Sequence, residues 1–455
     1  MSTPIRTHAP PAGPEPAIVL PPFETHRLTN GLRVEIARTT AIPDVALRLV
    51  LGAGAGTTAP EQAGLAALTC DVLDEGAAGR SAREMAEWID GLGAAFDAQA
   101  TYDAALLSMH AMNDQVDEIV EYVAEVVRRP DFLASEVSRR RDMQLDRLRR
   151  RGDEPARVAD DALDAALFGA HPYGAPLAGT VESVERLEAP DLAEFWRRCA
   201  RSDTACLVMC GDIDPARALA AVEREFGDWP VPEEVAPPAA PSAPAAAARA
   251  GDVLLFDRPG RLQTELRIGG VGLARGEAGE EAALVMNAVL GGLFSSRVNL
   301  NLREDKGWTY GVRTALLRRR RPGPLLLRTA VATEATAAAF VEILGEFERL
   351  RAEPPTHAEL ELAANALTRS LPLQFQTASQ LAGRRTETIT YGLPDDHWER
   401  FPERVEAVRP DEVRDAARRL LDPGGLVLLA VGDVAGFEAE LGELGRVHVR
   451  SPGDP

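Results

Sequence analysis

The sequence predicts an α+β protein made of two homologous mixed α/β halves, each a sheet covered by helices on one face, joined by a linker rich in proline and alanine. Three observations support this fold class. The chain has 455 residues, more than one ordinary hydrophobic core organises. Residues 232–250 carry hardly any large apolar side chains. A similar pattern of helix and strand occurs near the end of each half, so we expect two large units.

The stretch 232–250, PEEVAPPAAPSAPAAAARA, divides the chain nearly in half. Prolines and small side chains cannot bury a core, which predicts an extended linker. A long surface loop inside one domain is the alternative. The predicted boundaries are a flexible tail over residues 1–22, an N-terminal domain over 23–231, the linker over 232–250 and a C-terminal domain over 251–455.

The two halves carry a similar segment near their ends. In the first half, PDLAEFWRR begins at Pro190 and precedes the apolar run ACLVMCGD, which passes through Gly211. In the second half, PDEVRDAARR begins at Pro410 and precedes GLVLLAVGD, which passes through Gly432. Proline and carboxylates suit the first turn of a helix, and the apolar runs are typical of buried strands. Such self-similarity indicates a duplicated unit.

Other segments show helical or strand periodicity. Apolar residues recur at three- and four-residue steps in SAREMAEWIDGL, DQVDEIVEYVAEVVRR and AAAFVEILGEFERLRAE, which predicts helices. Short apolar runs predict strands in GLRVEIAR, VALRLVLG, AALLSMHAM, TELRIGGVG and PLLLRTAVAT. Long helices mixed with short strands in each half favour a sheet with helices on one face.

The charge balance excludes a general nucleic-acid binder. With 50 Lys and Arg against 70 Asp and Glu, the formal charge is −20, whereas binding to nucleic acid depends on neutralising phosphates. Basic runs do occur at 139–141, 149–151 and 318–321. We interpret these runs as solvated faces of helices or loops.

Cysteine usage and the N-terminal composition indicate a cytoplasmic protein. The four cysteines, Cys70, Cys199, Cys206 and Cys210, form no C-x-x-C pair, so we expect reduced and mostly buried thiols. Prolines interrupt every candidate apolar run of a secretion signal near the N-terminus. No uninterrupted apolar run reaches the roughly 18 residues needed to span a bilayer, and we expect no membrane partner.

Common catalytic motifs are missing from the sequence. The seven histidines are scattered, and no two of them lie one helical turn apart as a helical zinc site requires. His171, in the turn-like FGAHPYG, and His110, on an alternating strand pattern, are interpreted as structural. No serine lies in a G-x-S-x-G elbow, and the glycines at 291 and 292 lack the lysine of a phosphate-binding loop.

The stretch 291–310, GGLFSSRVNLNLREDKGWTY, has a structural explanation for most of its residues. Gly291 and Gly292 follow the helical run ALVMNAVL and are expected to end that helix. Ser295 or Ser296 is expected to cap the next helix, which a further glycine at 307 would end.

Arg303 and Tyr310 remain unexplained by this pattern. The arginine offers a fixed cation with several donors, and the tyrosine offers a phenol at the expected start of the strand TYGVRTA. Both groups suit a carbonyl oxygen that becomes negative during a reaction. A surface pair between Arg303 and the adjacent Glu304 or Asp305 is the alternative.

The segment LGGLFSSRVNLNLREDKGWTYGV resembles the C-terminal half of the pitrilysin, or insulinase, family of zinc peptidases, which includes the mitochondrial processing peptidases. THRLTNGLRVEIART resembles the opening strands of that family. AGLAALTCDVLDEGAAGRSAREMAEWIDGLGAAFDAQATYDAALLSMHAM resembles its metal-bearing region. The resemblance covers most of the chain and implies the duplicated architecture of the family.

The metal motif of the family is degenerate in this N-terminal metallopeptidase-like domain. Where active members carry H-x-x-E-H, the segment GLAALTCDVL has Ala67, Cys70 and Asp71, and the third ligand position falls near Asp146 and Arg147. A variant site from Cys70 and Asp71 is the alternative. However, adjacent helical residues point about 100° apart and no third ligand is evident. The resemblance thus implies no metal in this chain and zinc in a partner subunit.

The resemblance also implies a role for the C-terminal half. The arginine and tyrosine with which family members hold the substrate and stabilise the oxyanion match Arg303 and Tyr310, and Gly291, Gly292 and Phe294 are the expected substrate-binding residues beside them. We therefore expect a non-catalytic subunit of a heteromeric zinc metallopeptidase, inactive alone, whose partners are a homologous H-x-x-E-H subunit and a peptide substrate.

Other outcomes remain open at this stage. Members without the metal motif also serve as scaffolds, so a scaffold or peptide-binding pseudoenzyme with no part in hydrolysis is the alternative function. A homodimer is possible for the chain when alone. The acidic net charge suggests basic peptide substrates, because a protein's field attracts ligands of opposite charge.

Overall fold

The computed structural model describes residues 18–231, 242, 244 and 249–450. Most of the predicted linker and residues 1–17 of the predicted tail therefore lie outside the described residues. Residues 18–22, assigned to the tail by the sequence, lie against the C-terminal half. There, Ile18 and Leu20 pack on apolar side chains, and the Leu20 amide donates to Glu399 Oε1 at 3.2 Å.

The strands of both halves come first in the description because they form the frame of the molecule. They are β1 (Glu24–Arg27), β2 (Arg33–Arg38), β3 (Asp44–Leu51), β4 (Gly76–Ala77), β5 (Arg80–Ser81), β6 (Ala95–Ala100), β7 (Ala105–Met112), β8 (Cys206–Gly211), β9 (Asp252–Asp257), β10 (Gln263–Val271), β11 (Arg313–Leu316), β12 (Pro324–Ala332), β13 (Val427–Gly432) and β14 (Arg446–Arg450). All five segments predicted as strands are strands.

Each half contains one six-stranded sheet, and five of the six strands follow the same order in both. The N-terminal sheet runs β1-β2-β8-β3-β7-β6, and the C-terminal sheet runs β14-β9-β13-β10-β12-β11. In both, a central pair is parallel, β2 with β8 and β9 with β13, and the strands that follow are antiparallel. The edge strands differ, since β1 is antiparallel to β2 and β14 is parallel to β9. The duplication predicted from the repeated segment is thus confirmed, with β8 and β13 as the repeated buried strands.

The helices lie between these strands along the chain. They are α1 (Leu65–Val72), α2 (Ala82–Leu92), α3 (Val116–Arg128), α4 (Ala134–Gly152), α5 (Pro155–Phe168), α6 (Val181–Glu185), α7 (Ala189–Cys199), α8 (Pro215–Phe226), α9 (Glu280–Asn287), α10 (Arg297–Asn299), α11 (Thr336–Ala352), α12 (His357–Arg369), α13 (Ala378–Tyr391), α14 (Phe401–Glu406), α15 (Pro410–Leu420) and α16 (Glu438–Leu441). The predicted helices correspond to α2, α3 and α11, and the repeated proline-led segments to α7 and α15.

One face of each sheet is covered by helices of its own half, as the sequence predicts. In the N-terminal half, apolar residues of β2, β3, β7 and β8 form one core with α1, α3, α7 and α8. In the C-terminal half, β9, β10, β12 and β13 pack with α9, α11 and α15 in the same way.

The opposite face of each sheet is covered by a helix from the other half. α5 belongs to the N-terminal half, yet Leu163 and Leu167 pack against Leu429 of β13. α13 belongs to the C-terminal half, yet Leu381 packs against Val208 of β8. This exchange of α5 and α13 removes apolar surface of both sheets from water and holds the halves together.

Buried ion pairs accompany the exchanged helices. Glu35 on β2 is fully buried and accepts from Arg385 of α13, with Nη2 to Oε1 at 3.1 Å. At the equivalent junction, Arg267 on β10 is 3% exposed and donates to Asp160 Oδ1 of α5 at 2.7 Å. Such groups are stable inside a protein only when paired, so each pair fixes a helix on the sheet of the other half.

The basic run 318–321 is not a solvated face, which corrects our interpretation of the sequence. The guanidinium of Arg319 lies 3.8 Å from the ring centroid of Tyr102 and 4.6 Å from that of Tyr173, both in the N-terminal half. Arg318 pairs with the buried Glu280. The run therefore belongs to the junction between the halves, where aromatic faces and carboxylates compensate its charge.

The four cysteines are free and buried, as predicted. The stretch Glu280–Asp305 is long and apolar enough to cross a membrane by composition, but 56% of its most apolar window is buried inside the protein. Its apolar character is accounted for by packing in the C-terminal core.

Candidate functional site

An open cavity of about 830 Å³ lies in the C-terminal half, between β10, β11, β12 and the segments that flank α10. Four of the residues predicted for the site line it: Gly291, Gly292, Phe294 and Tyr310. Arg303, the fifth, reaches this group through a contact with Phe294. The structure thus brings the predicted residues of this half to one place.

The glycines at 291 and 292 let a turn pack closely against β11. After α9 the chain continues as a wider π-helical turn over Ala288–Gly292, a feature often found at functional sites. A Cβ on Gly291 would lie 2.5 Å from Cγ2 of Thr314, and a Cβ on Gly292 would lie 2.8 Å from Nδ2 of Asn287. A side chain at 291 would clash with β11 at the cavity wall, and a side chain at 292 would clash with the end of α9.

We predict that Gly291→Ala destabilises the protein by about 1 to 3 kcal/mol, because the added methyl group overpacks a buried contact. Thermal unfolding followed by circular dichroism measures this. Gly345→Ala is the matched control, since Gly345 is exposed within α11 and nothing lies within 4 Å of its added Cβ. The control should be neutral or stabilise by up to about 1 kcal/mol. Equal effects of the two substitutions would contradict the packing role of Gly291.

Asn299 joins the glycine turn to the segment before β11, a role that the sequence did not reveal. Its side chain is buried, and Nδ2 donates to the carbonyls of Leu293 at 3.0 Å and Val312 at 2.8 Å. Its Oδ1 accepts from the Val312 amide at 2.8 Å. The only signal in the sequence was an amide among apolar residues of RVNLNL. Ser296 occupies the N-cap position of α10, as predicted, and its hydroxyl accepts from Asn299.

Arg303 lies in a second π-helical turn, Leu300–Asp305, that continues α10. Its guanidinium stacks 3.6 Å from the ring centroid of Phe294. Nη1 lies 2.9 Å from Oε1 of Glu304 without hydrogen-bond geometry. The side chain is 27% exposed, while Nη1 itself is buried and makes no hydrogen bond within the described chain.

Tyr310 is 92% exposed and, within the described part of the chain, its hydroxyl has no hydrogen-bond partner. The strand that the sequence places at this residue begins later, at Arg313. The reason is local: the Gly311 amide donates to Thr309 Oγ1 at 3.1 Å, and Asn299 takes the backbone groups of Val312. These bonds withdraw the segment from the sheet and leave the phenol at the cavity wall.

The degenerate metal position lies on α1 of the N-terminal half. Ala67 has no ligand atom, and Cys70 is 2% exposed. Burial raises the pKa of the Cys70 thiol well above its usual value, which disfavours the thiolate form that binds a metal. Among the described residues, no group of three or more His, Cys, Asp or Glu side chains could hold a metal ion.

Asp71 and Arg147 form an ion pair across this position. Asp71 Oδ2 lies 3.7 Å from Nη1 of Arg147, which α4 contributes at the expected third-ligand position. Burial raises the pKa of the Asp71 carboxyl, while the charges of Arg140 and Arg147 oppose that shift. A guanidinium repels a divalent cation, so the residues present do not fit zinc, and a cation of the chain lies where ligands would converge.

Comparisons with known families agree with this arrangement. A family model described as insulinase (peptidase family M16) matches residues 33–181, and one described as peptidase M16 inactive domain matches residues 186–367. The two matches together span most of both halves. The chain belongs to the insulinase family of peptidases.

Relatives of this insulinase-family chain include proteins of similar length. It is 28% identical over 409 residues to a Mycobacterium tuberculosis protein described as an uncharacterized zinc protease, covering 90% of this chain and 92% of that protein. It is 26% identical over 212 residues to a probable mitochondrial-processing peptidase subunit beta of Schizosaccharomyces pombe, covering 46% of each chain. The chain is therefore similar to peptidases over nearly its full length.

Solved structures share the fold of this insulinase-family chain. A peptidase M16 inactive domain from Pseudomonas fluorescens superposes with a TM-score of 0.83 at 24% identity, covering 90% of this chain and 98% of that one. A protease from Helicobacter pylori superposes with a TM-score of 0.85 at 15% identity, covering 90% and 100%. The duplicated α+β architecture is thus that of peptidases in this family.

Proposed function

We propose that this protein is a non-catalytic subunit of a heteromeric zinc metallopeptidase, and that it contributes Arg303 and Tyr310 to peptide binding and oxyanion stabilisation at a partner's zinc site. The partner is a homologous subunit that carries H-x-x-E-H. The chain alone holds no zinc and cleaves no peptide, and the proposed compartment is the cytoplasm.

One observation carries the proposal. An unpartnered phenol, that of Tyr310, stands at an open cavity, whereas the metal position of the same chain is an ion pair, Asp71 with Arg147. The chain thus presents hydrogen-bond donors suited to a reaction whose metal it cannot hold. Such donors beside a cavity, in a chain without the metal ligands, are expected of a subunit that meets the metal on another chain.

The residues of this chain suit stabilisation of negative charge. The Tyr310 hydroxyl can donate a hydrogen bond to an oxygen that becomes negative, and the Arg303 guanidinium can lie beside the same charge. Phe294 holds the guanidinium plane by stacking, which limits its rotation. A cation held in this way needs less reorganisation when the charge forms.

A second candidate, a scaffold with no part in hydrolysis, is favoured by one contact. Arg303 is stacked on Phe294 and lies near Glu304. A structural role in these contacts would explain the presence of the arginine without any part in catalysis. Tyr310 separates the two candidates, since an exposed phenol without a bond in the described structure adds nothing to a scaffold's stability.

Metal and activity measurements on the isolated chain test the proposal. We expect less than stoichiometric zinc by elemental analysis, no peptide hydrolysis, and chelator-sensitive hydrolysis only after mixing with a homologous H-x-x-E-H chain. The control is that H-x-x-E-H chain alone, assayed at the same concentration. Stoichiometric zinc and chelator-sensitive proteolysis in the homogeneous isolated chain would overturn the proposal.

A further inference from the structure

Three arginines form a row across the floor of the cavity. In the antiparallel register, Arg267 of β10 lies opposite Arg328 of β12, and Arg328 lies opposite Arg313 of β11. Residues directly opposite each other point to the same face of a sheet, and all three line the cavity. Like charges in such positions destabilise a sheet unless something compensates them.

Two of the three cations are compensated within the chain. Asp160 of α5 lies 2.7 Å from Arg267 and 3.2 Å from Arg328. Glu265 adds a second carboxylate, 2.9 Å from Arg267. Arg313, at the edge of the sheet, is exposed to the cavity. Within the described ranges, no carboxylate pairs with it.

The sheet itself does not require an arginine at this edge. The N-terminal sheet has an equivalent row, Arg48, Ser108 and Asp97. The two rows correspond because Arg267 and Arg48 each lie opposite the residue that is three positions before the final glycine of β13 or β8. The edge residue there is the acid Asp97, opposite in charge to Arg313. Packing of the fold therefore accepts either sign, and the excess positive charge is particular to the cavity beside Tyr310.

We propose that Arg313 makes this cavity select peptides that present a carboxylate, so that the substrates are acidic rather than basic. This inference rests on the proposed function, because it names the substrate class of the same site. The carboxylate is an acidic side chain or the peptide's C-terminus, and either one supplies the missing counterion of Arg313. The overall acidic charge of the chain, which suggested basic peptides, does not describe this cavity.

Peptide binding by the full chain tests the inference. The probes are a set of peptides with amidated C-termini. Each has one Glu at a different position in an otherwise uncharged sequence, and each is paired with a peptide that has Gln at that position. A further member has no Glu but a free C-terminus. Fluorescence anisotropy gives each Kd, and kcat/KM is measured in the complex with the H-x-x-E-H subunit. We expect at least one Glu or free-carboxylate member to bind about fivefold to tenfold more tightly than its neutral twin.

Variants of Arg313 identify the residue responsible. Arg313→Gln should remove the preference for carboxylate peptides. Arg313→Glu should reverse it, so that peptides with Lys in place of Glu bind more tightly than their Gln counterparts. The matched control is Arg186→Gln, in which an exposed arginine directly after α6 that pairs with Glu182 is replaced, and it should leave the discrimination unchanged. Circular dichroism confirms that each variant is folded.

The outcomes separate this inference from the proposed function. The inference is overturned if peptides are bound and hydrolysed without preference for a carboxylate. It is also overturned if the preference survives in Arg313→Gln. Both outcomes leave the proposed function standing. No binding and no hydrolysis of any member, by the chain or by the complex, overturns both.

Discussion

Tyr310→Phe is expected to lower kcat of the complex with the H-x-x-E-H subunit by about 100-fold to 1,000-fold, the usual cost of losing one preorganised donor to an oxyanion. The substitution removes only a hydroxyl, and that hydroxyl makes no hydrogen bond within the described chain, so folding should not change. Steady-state kinetics on a peptide substrate measures the effect. A loss in kcat with little change in KM would place the hydroxyl in the transition state rather than in substrate binding.

Two controls accompany this measurement. Val341→Ala shortens an exposed side chain of α11 that is 57% exposed and should leave kcat within about twofold of the parent, as is typical of surface positions. Arg303→Ala should lower kcat by a factor similar to that of Tyr310→Phe. The double variant should lower kcat by less than the product of the two single factors, since both groups act on one charge. Full activity in Tyr310→Phe would favour the scaffold.

Glu35→Ala is expected to destabilise the folded protein by about 3 to 5 kcal/mol, because it leaves a buried arginine of α13 without its main partner. Arg385 is 8% exposed. Within the described chain it pairs with Glu35 and Asp395, so the variant keeps only the pair with Asp395. Urea unfolding followed by circular dichroism measures the free energy. The larger part of the loss is the desolvation of the remaining cation rather than the energy of the bond itself.

The matched control breaks an exposed pair of the same chemistry. Arg83 and Glu87 lie on α2 with side chains 86% and 61% exposed, and Glu87→Ala should cost less than about 1 kcal/mol. Replacing both members of the buried pair, as Glu35→Leu with Arg385→Met, should restore most of the stability lost in Glu35→Ala. If Glu35→Ala costs no more than Glu87→Ala, the buried pair does not hold α13 on the N-terminal sheet.

The local structure could be predicted from the sequence because it depends on neighbours along the chain. Apolar periodicity located α2, α3 and α11, and the proline-led repeat located α7 with β8 and α15 with β13. The exchange of α5 and α13 could not be predicted in this way. An apolar face on a helix shows that it is buried, but not which sheet covers it. For the same reason the run 318–321 was misjudged, since the aromatic partners of Arg319 lie about 150 to 220 residues away along the chain. The acidic partner of Arg318, Glu280, is 38 residues away.

The candidate site was predictable only where one segment contains it. Gly291, Gly292, Phe294, Arg303 and Tyr310 lie within twenty residues of each other, and the family resemblance identified them together. The arginine row was invisible, because its members come from three strands and only the register places them side by side. Tyr310 lies before the strand because the Asn299 side chain forms hydrogen bonds with the backbone of Val312. Strand propensity does not predict such a contact.

The exchange of α5 and α13 also bears on how this protein evolves. Each half supplies the helix that covers one face of the other half's sheet. Deletion of either half would therefore expose a hydrophobic surface and promote aggregation. Mutation can erase the metal ligands of one half, but selection for solubility keeps that half in place. The N-terminal half, whose α1 carries Ala67, Cys70 and Asp71 at the metal position, is thus still required to cover the sheet of the C-terminal half.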